Sequence, residues 1–312
     1  MRWTYRAIDD VQPGRRAEFH GTPVVIGDLV LAGTDDRDPG GIGHLYAFER
    51  NTGHLRWKAE AGRGVMADLV HRGSRLYVVT LSDEIRCIDI GNGHTLWSHA
   101  SRAVLDSSRS IGFMTTPALV RDKVIFGGQD GTIAALDTER GTLRWSRTVG
   151  SPIQSAVVDS GNCVYFAARD SRLVRLDARD GRDLGEMQLG GRTFGPPVVT
   201  VDGLLVFVAE EGGESGEPEE TLRCVEASLK GPRWTQRIPG GWTSSRPYLW
   251  HDTVLGGGEH GYLVAIRTRD GAQMWSDSLR GTIRAIGIEA NRLYIGTLGG
   301  TLFAYDPPAI AR

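Results

Sequence analysis

The sequence predicts an all-β fold, a seven-bladed β-propeller of four-stranded blades, from three observations. A Gly-x-x-x-Trp motif recurs along the 312 residues, each period holds four short strand-like runs, and the last period lacks its fourth run. The motif glycines lie 40, 48, 40, 50 and 40 residues apart, at Gly53, Gly93, Gly141, Gly181, Gly231 and Gly271. A period of about 40–45 residues with four strands is typical of propellers.

The third period shows the four strands most clearly. Runs rich in β-branched and aromatic residues cover residues 115–120, 123–127, 132–137 and 142–147. Turn residues such as Asp122, Asp130 and Gly131 separate them, which predicts short antiparallel strands. The same order recurs from Thr22 to Trp57, Ala67 to Trp97, Ser155 to Leu184, Pro196 to Trp234 and Arg246 to Trp275.

The repeated tryptophan is expected to wedge between adjacent blades, with its ring on the turn glycine of its neighbour. The fourth period departs from this pattern, because Gly185 follows Leu184 and no tryptophan is present. We therefore expect the interface made by that blade to be the weakest.

The seventh period starts at Ile283 and stops after Asp306, before a fourth strand. The segment Arg2-Trp3-Thr4-Tyr5-Arg6 at the other end of the chain reads like a fourth strand. We expect it to complete the last blade and to close the ring, which removes an exposed strand edge. Residues 1–312 would then form one propeller domain.

Composition limits the possible functions. Lys+Arg number 36 against 38 Asp+Glu, for a net charge of −2, which argues against a role on nucleic acid or a membrane surface. The first residues contain no apolar segment of a secretory signal, and no run of 18 apolar residues occurs. Cys87, Cys163 and Cys224 lie far apart in strand-like runs and are expected to be buried thiols. These features favour a cytoplasmic monomer.

The repeat resembles the pyrroloquinoline-quinone-like, or tryptophan-docking, propeller repeat over nearly the whole chain. Its hallmark, Leu-x-Ala-Leu-Asp-x-x-x-Gly-x-x-x-Trp, is reproduced from Ile133 to Trp145. The family includes quinoprotein alcohol dehydrogenases, which would imply bound quinone and calcium and an adjacent cysteine pair. Three separated cysteines cannot supply that pair, so we expect no quinone. The eight histidines show no metal-ligand spacing, and no phosphate loop or dinucleotide fingerprint occurs, so we expect no metal and no other cofactor.

The family also includes the propeller lipoprotein of the outer-membrane assembly machine. That resemblance would imply a signal peptide and a lipidated cysteine near the start of the chain. The printed sequence has neither feature at its start, and the family's usual eight blades differ from the seven counted here. We therefore expect a different role.

The variable loops carry the predicted site. Loops that enter each innermost strand, and loops that join the second and third strands, are expected on one face around the channel mouth. Guanidinium groups pair with carboxylates or phosphates, and aromatic rings line ligand sites. The predicted ligand-binding residues are Arg63, Phe113, Gln154, Arg192, Phe194, Trp242, Arg246, Glu259 and Arg284.

Two histidines on the same face are candidates for acid–base catalysis, His20 and His260, the latter beside Glu259. Asp130 and Asp170 are expected to be turn formers. Three insertions break the period, at residues 34–43, 101–113 and 210–220, and the six glutamates of the last predict a mobile, solvated loop.

These residues favour a cytosolic propeller that binds a small anionic or aromatic molecule at the channel mouth. Two alternatives stay open. One is a cofactor-independent enzyme of the lyase, cyclase or isomerase type that uses the same pocket. The other is a protein-interaction scaffold whose inserted loops make the contacts.

Overall fold

The computed structural model of the protein describes residues 3–10, 17–19, 21–36, 41–82, 84–100, 115–153, 155–191, 193, 196–200, 202, 205–212, 218–237, 247–289, 292–297 and 301–307. Their packing divides the chain into two compact units. Unit 1 comprises Met1–Val157 and Asp177–Arg182, and unit 2 comprises Val158–Leu176 and Asp183–Arg312. Both are built from antiparallel sheets joined in sequence order, as expected for an all-β repeat.

Unit 1 contains the first three blades, each a meander of four strands. Blade 1 comprises β2 (Val24–Ile26), β3 (Leu29–Asp35), β4 (His44–Glu49) and β5 (Leu55–Glu60), and β1 (Glu18–Phe19) pairs with the end of β3. Blade 2 comprises β6 (Val70–Arg72), β7 (Arg75–Thr80), β8 (Glu84–Asp89) and β9 (Thr95–Ala100). Blade 3 comprises β10 (Ala118–Val120), β11 (Lys123–Gly127), β12 (Thr132–Asp137) and β13 (Leu143–Thr148). A 3-10 helix, Ala7–Asp10, precedes β1.

Unit 2 contains three more four-stranded blades and a three-stranded sheet. Blade 4 comprises β14 (Val158–Ser160), β15 (Cys163–Ala167), β16 (Arg172–Asp177, which ends in unit 1) and β17 (Asp183–Gln188). Blade 5 comprises β18 (Val198–Val199), β19 (Leu205–Gly212), β20 (Pro218–Val225) and β21 (Pro232–Arg237). Blade 6 comprises β22 (Tyr248–Trp250), β23 (Thr253–Gly257), β24 (Tyr262–Arg267) and β25 (Gln273–Ser278), with a 3-10 turn at Glu259–Gly261. The last sheet comprises β26 (Ile283–Glu289), β27 (Arg292–Thr297) and β28 (Leu302–Tyr305).

The prediction of seven four-stranded blades is wrong. Among the described residues there are six such blades, and the sheet of β26–β28 has three strands. The N-terminal strand that was expected to complete it is absent from residues 3–6, which adopt no strand conformation. The prediction of a single domain stays a prediction.

The N-terminal residues instead pack on blade 1. The Trp3 indole N–H donates to the carbonyl of Arg50 at 2.9 Å, and a Cβ on Gly53 would lie 2.5 Å from the Trp3 ring. Tyr5 lies 4.6 Å from Phe48, between ring centroids. Trp3 therefore makes the same docking contact on blade 1 that fourth-strand tryptophans make on the other blades, although its own segment is not a strand.

The predicted docking of tryptophan on a neighbour's turn glycine is confirmed. A Cβ added to Gly93 would lie 2.7 Å from the Trp57 ring, and the Trp57 N–H donates to the carbonyl of Ile90 at 2.8 Å. The same pair of contacts joins Trp97 to Gly141 and Thr138, Trp145 to Gly181 and Ala178, and Trp234 to Gly271 and Thr268. Each glycine has a φ of 68–76°, where an added side chain would be strained.

Blade 5 lacks the docking glycine. Val225 pairs with Pro232 and Cys224 with Trp234, as Phe48 pairs with Leu55 and Ala47 with Trp57 in blade 1. The two turns thus have equal length, and Lys230, not Gly231, stands at the docking position. The expected alignment of Gly231 with the motif glycines is therefore wrong by one residue.

The structure pairs this change with the missing tryptophan of blade 4. Gly185 stands opposite Arg175 in β16, the position that tryptophan holds opposite Ala47 in blade 1. Leu229, from the blade 5 turn, is buried in one apolar cluster with Tyr165, Leu173 and Leu189. A leucine from the blade 5 turn is thus buried against blade 4, the blade that lacks a docking tryptophan.

The second and third strands of the blades are buried along most of their described length, as in β3, β11 and β23. Leu31, Leu45, Leu76 and Val78 form part of one cluster between blades 1 and 2 in unit 1. In unit 2, Leu255, Leu263, Leu293 and Ile295 belong to a cluster between blade 6 and the last sheet. Because successive residues of a strand point to opposite faces, continuous burial means that these middle strands pack against apolar side chains on both faces and form the core.

Candidate functional site

The rim turns, which join the second strand of a blade to its third, hold the described part of the predicted site. In blade 3 the Gly131 N–H donates to the carbonyl of Gly128, and Asp130 Oδ1 accepts the Thr132 N–H at 2.8 Å. In blade 4, Asp170 forms an ion pair with Arg172 at 2.7 Å. These contacts confirm Asp130 as a turn former and give Asp170 a structural partner in its own blade.

The segments that enter each first strand are anchored in the core. A Cβ on Gly127 would lie 2.6 Å from Ile153, and one on Gly257 would lie 2.6 Å from Ile283. Both isoleucines are fully buried, and Val65 occupies the same position beside Gly33. Of the residues predicted to enter the rim, these therefore point into the blades and cannot contact a ligand.

Arg63 is exposed in the segment between blades 1 and 2. Its N–H donates to Ser82 Oγ at 3.0 Å, and its carbonyl accepts the Asp36 N–H at 3.1 Å. Arg63 therefore links the first insertion to the rim turn of blade 2 through its backbone. The residue itself is exposed to solvent.

His260 lies in the 3-10 turn of blade 6, exposed, with a φ of 59°. Gly261 follows it, and a Cβ there would overlap the carbonyl of Leu279, so this turn is held against the strand that leaves blade 6. The side chain of Glu259 lies outside the described residues. An acid–base pair of His260 with Glu259 stays a prediction.

The other predicted site residues lie outside the described part of the chain, so their predicted convergence is not tested. For Arg284 the backbone alone is described, within β26. The remaining positions without description are His20, Phe113, Gln154, Arg192, Phe194, Trp242 and Arg246. Within the described ranges, no group of three or more His, Cys, Asp or Glu side chains could hold a metal ion.

The three insertions differ in how far the structure describes them. Residues 101–113 lie outside the described residues. The first insertion begins inside β3, which ends at Asp35. The acidic insertion is strand at both ends, because Glu210 pairs with Glu220 and Glu211 with Glu219 in the β19–β20 hairpin. The expectation of a loop throughout residues 210–220 is therefore wrong.

The prediction of buried thiols is confirmed for two of the three cysteines. Cys87 and Cys224 are buried, and burial raises the pKa of Cys87 and raises that of Cys224 to about 11. Cys163 is half-buried, with its Sγ 3.4 Å from the Arg175 guanidinium. Thiols with raised pKa values are poor nucleophiles at neutral pH.

Sequence reasoning did not consider the exposed edges of the outermost strands. In the described residues β5, β9, β13, β17, β21 and β25 each pair on one side only, with the third strand of their own blade. Leu55, Leu96 and Leu143 are exposed on three of them. An unpaired edge presents N–H and C=O groups that another chain can bind. The sequence signal that could have drawn attention to these strands is the pattern of charged residues along each fourth strand.

Comparison with known proteins identifies the family. A family model described as "Outer membrane protein assembly factor BamB" matches residues 3–174 and 169–309. Two matches therefore cover almost the whole chain, and the chain belongs to this family. The resemblance to the pyrroloquinoline-quinone-like repeat is confirmed.

Individual relatives match more weakly. Outer membrane protein assembly factor BamB of Escherichia coli is 27% identical over 184 residues, 58% of this chain and 41% of that protein. The chain thus spans less than half the length of this relative. A quinohemoprotein alcohol dehydrogenase of Pseudomonas putida is 28% identical over 163 residues, 46% of this chain and 21% of that enzyme.

Among solved structures, BamB from Moraxella catarrhalis superimposes with a TM-score of 0.70 and 22% identity, covering 90% of this chain and 82% of that chain. This likeness supports the β-propeller fold. In the described residues, no helix is long and apolar enough to cross a membrane.

The comparisons overturn two predictions. The relatives are named for the assembly of outer membrane proteins, which contradicts the expected cytosolic binder of a small anionic or aromatic molecule. The expected cytoplasmic location is wrong for the same reason. A protein partner, one of the expected alternatives, is supported, whereas a small-molecule ligand and a monomeric state gain no support. The absence of quinone stays a prediction.

Proposed function

We propose that this member of the BamB family is a protein-interaction factor that takes part in the assembly of outer membrane proteins. The observation that carries the proposal is the family match over residues 3–174 and 169–309. Its interacting elements are the exposed edges of the fourth strands, and no bound cofactor takes part.

The surface of these strands fits a binding role. Every residue of β5 and β13 is exposed except the docking tryptophans, Trp57 and Trp145, and the half-buried Ala59. One side of each fourth strand is thus held by its blade, while its free edge and several side chains face solvent. Rigid strands with free edges can bind an extended polypeptide at a small entropic cost to the protein.

The test is a direct binding measurement. An outer membrane protein is labelled with a fluorophore, unfolded in urea and diluted into the purified chain, and fluorescence anisotropy is recorded against concentration. Saturable binding is expected, because the free edges accept an extended chain. An unfolded soluble protein of the same length, treated in the same way, is the control.

Equal binding of the two unfolded proteins would show non-specific capture, and absence of binding to either would contradict the proposed function. A second readout is the yield of folded outer membrane protein in lipid vesicles, with and without the chain. A factor in assembly should raise the yield or the rate.

A further inference from the structure

Blades 2 and 4 each hold an arginine beside a cysteine, with the two residues exchanged between strands. In blade 2, Arg75 opens β7, and its Nη1 lies 3.9 Å from the Sγ of Cys87 in β8. In blade 4, Cys163 opens β15, and its Sγ lies 3.4 Å from Nη2 of Arg175 in β16. The strand registers show that Cys163 holds the position of Arg75, and Arg175 that of Cys87. The surroundings of the two guanidinium groups can therefore be compared directly.

The guanidinium of blade 2 is neutralised by the next blade. Arg75 donates to Glu139 twice, from Nη2 to the carboxylate Oε2 at 2.7 Å and from Nη1 to the carbonyl at 3.2 Å. Glu139 belongs to the turn between the third and fourth strands of blade 3. It directly follows Thr138, whose carbonyl accepts the Tyr77 hydroxyl at 3.2 Å. A carboxylate of the neighbouring turn thus lies on the guanidinium.

The corresponding turn of blade 5 has no carboxylate at this position. Tyr165 of blade 4 donates its hydroxyl to the carbonyl of Ala227 at 2.9 Å, and Ser228 follows Ala227. The registers on either side of the two turns place Ser228 where blade 3 has Glu139. A serine hydroxyl carries no charge, so it cannot neutralise an arginine.

Arg175 lies beside this turn. Burial raises the pKa of the Tyr165 hydroxyl, whereas the nearby Arg175 guanidinium acts to lower it. Among the residues that the structure describes, Arg175 Nε and Ser228 Oγ are buried and have no hydrogen-bond partner. Buried polar atoms nearly always have partners, and a guanidinium partly withdrawn from water is best paired with a carboxylate. The carboxylate that the interface of blades 2 and 3 contains is therefore missing here.

The surroundings of Arg175 give access from solvent. Gly185 stands opposite Arg175, at the position of the docking tryptophan, and a Cβ there would meet nothing within 4 Å. Arg175 is half-buried, while Lys230, two residues after Ser228, is exposed. A group from outside the chain can therefore approach the guanidinium, and it meets positive charge from two side chains.

We propose that Arg175 and Ser228 bind an acidic side chain, Asp or Glu, of a partner protein. The carboxylate would accept from Arg175 Nε and Ser228 Oγ, and Lys230 would add attraction from the rim of the site. The occupant is a protein side chain because the same role is filled by a protein side chain, Glu139, in the regular interface. The inference deepens the proposed function, since it names a chemical feature of the partner.

The test exchanges the two turn residues. Ser228→Glu gives the turn of blade 5 its own carboxylate and should fill the site, whereas Glu139→Ser removes the carboxylate beside Arg75 and should open a second site. Ser228 is half-buried at the surface turn and Glu139 is exposed, so both variants are expected to fold, which the melting temperature checks.

The probe is the peptide Gly-Ser-Glu-Ser-Gly with both ends blocked, and the control peptide has glutamine in place of glutamate. Dissociation constants are measured by saturation-transfer NMR. The wild type is expected to bind the glutamate peptide at least about fivefold more tightly than the glutamine peptide, because only the carboxylate pairs with the guanidinium. Ser228→Glu should abolish this preference, and Glu139→Ser should increase the bound signal at saturation.

Equal binding of the two peptides by the wild type would overturn the site, as would an unchanged preference in Ser228→Glu. If Ser228→Glu does not fold, Glu139→Ser decides, and an unchanged bound signal in that variant would reject the inference. A wild type that binds unfolded outer membrane proteins without a preference for the glutamate peptide would lose the site and keep the proposed function. The opposite result would keep the site and refute that function.

Discussion

The interface between blades 1 and 2 and that between blades 4 and 5 hold neighbouring blades together in different ways. In the first, Trp57 of β5 lies on Gly93 and donates to the carbonyl of Ile90. In the second, Gly185 replaces the tryptophan and Lys230 stands at the glycine position, while Leu229 is buried beside Tyr165.

The altered interface shares one contact with the regular interface between blades 2 and 3. Tyr77 donates its hydroxyl to the carbonyl of Thr138, between blades 2 and 3, and Tyr165 donates to Ala227, between blades 4 and 5. Thr138 and Ala227 both follow the acidic residue that opens the turn. The comparison teaches that a blade interface tolerates loss of its indole when the neighbouring turn supplies another apolar side chain. Close packing requires that the volume between two blades be filled, whichever residue fills it.

Removal of the indole should have the largest effect. Trp57→Ala is expected to lower the free energy of unfolding by about 4 kcal/mol, because the buried ring and its hydrogen bond are both lost. Denaturant titration followed by intrinsic fluorescence measures this. Leu55→Ala on the same strand, where the side chain is exposed, should cost less than about 0.5 kcal/mol. Similar losses for both variants would contradict the docking role.

Leu229→Ala tests the altered interface. If Leu229 replaces the indole, its removal should lower the free energy of unfolding by about 3 kcal/mol. The neighbouring Lys230 is exposed, so Lys230→Ala is a matched control with a small expected effect. A loss below about 1 kcal/mol for Leu229→Ala would show that the space is not tightly packed, and would support the expectation that this interface is the weakest.

Restoring the tryptophan should not restore the regular interface. Gly185 has a φ of 131°, which residues with a side chain rarely adopt, and Leu229 is buried against Tyr165 and Leu173 of blade 4, so Gly185→Trp should destabilise by about 1–3 kcal/mol even though a Cβ at Gly185 would meet open space. The loss should be smaller when Leu229→Ala is already present, a coupling that a double-mutant cycle measures. Additive effects would show that the two side chains do not compete for one space.

The smallest expected effect concerns the acid that opens each regular turn. The Arg179 guanidinium and the Arg179 backbone N–H hold the pKa of Asp177 at about 2, below its ordinary 3.8. Ionised Asp177 therefore stabilises the fold above about pH 4, and this contribution is lost as the pH falls towards 2. Asp177→Asn should reduce stability at pH 7 and much less near pH 2, as measured by urea unfolding at both values. A loss of equal size at both pH values would contradict the assignment.

Much of the fold was predictable from local patterns. Strands such as Lys123–Gly127 and Thr132–Asp137 follow from alternation and turn residues, and the structure has them with the predicted bounds. The bulge before each docking tryptophan, as between Ala47 and Phe48, was not predicted. Such register shifts depend on how the fourth strand twists against its neighbour, which residue type alone does not encode.

The candidate site was much less predictable. The loops that enter the first strands were expected at the channel mouth, yet Ile153, which precedes β14, and Ile283, which opens β26, are buried against Gly127 and Gly257. Function was also mispredicted, because arginine and aromatic residues in loops suit a ligand site as well as a protein surface.

The Gly-x-x-x-Trp repeat by itself determined the all-β class, the four-strand period and the docking of each tryptophan on a neighbour's turn, because all three are contacts between residues at fixed spacing. Tertiary structure alone decided which contacts the residues at the irregular positions make. Trp3 docks on Gly53 from a segment that is not a strand, and Leu229 is buried against Tyr165 and Leu173 of blade 4. These contacts join residues far apart in the chain, and close packing, which has no fixed sequence spacing, selects them.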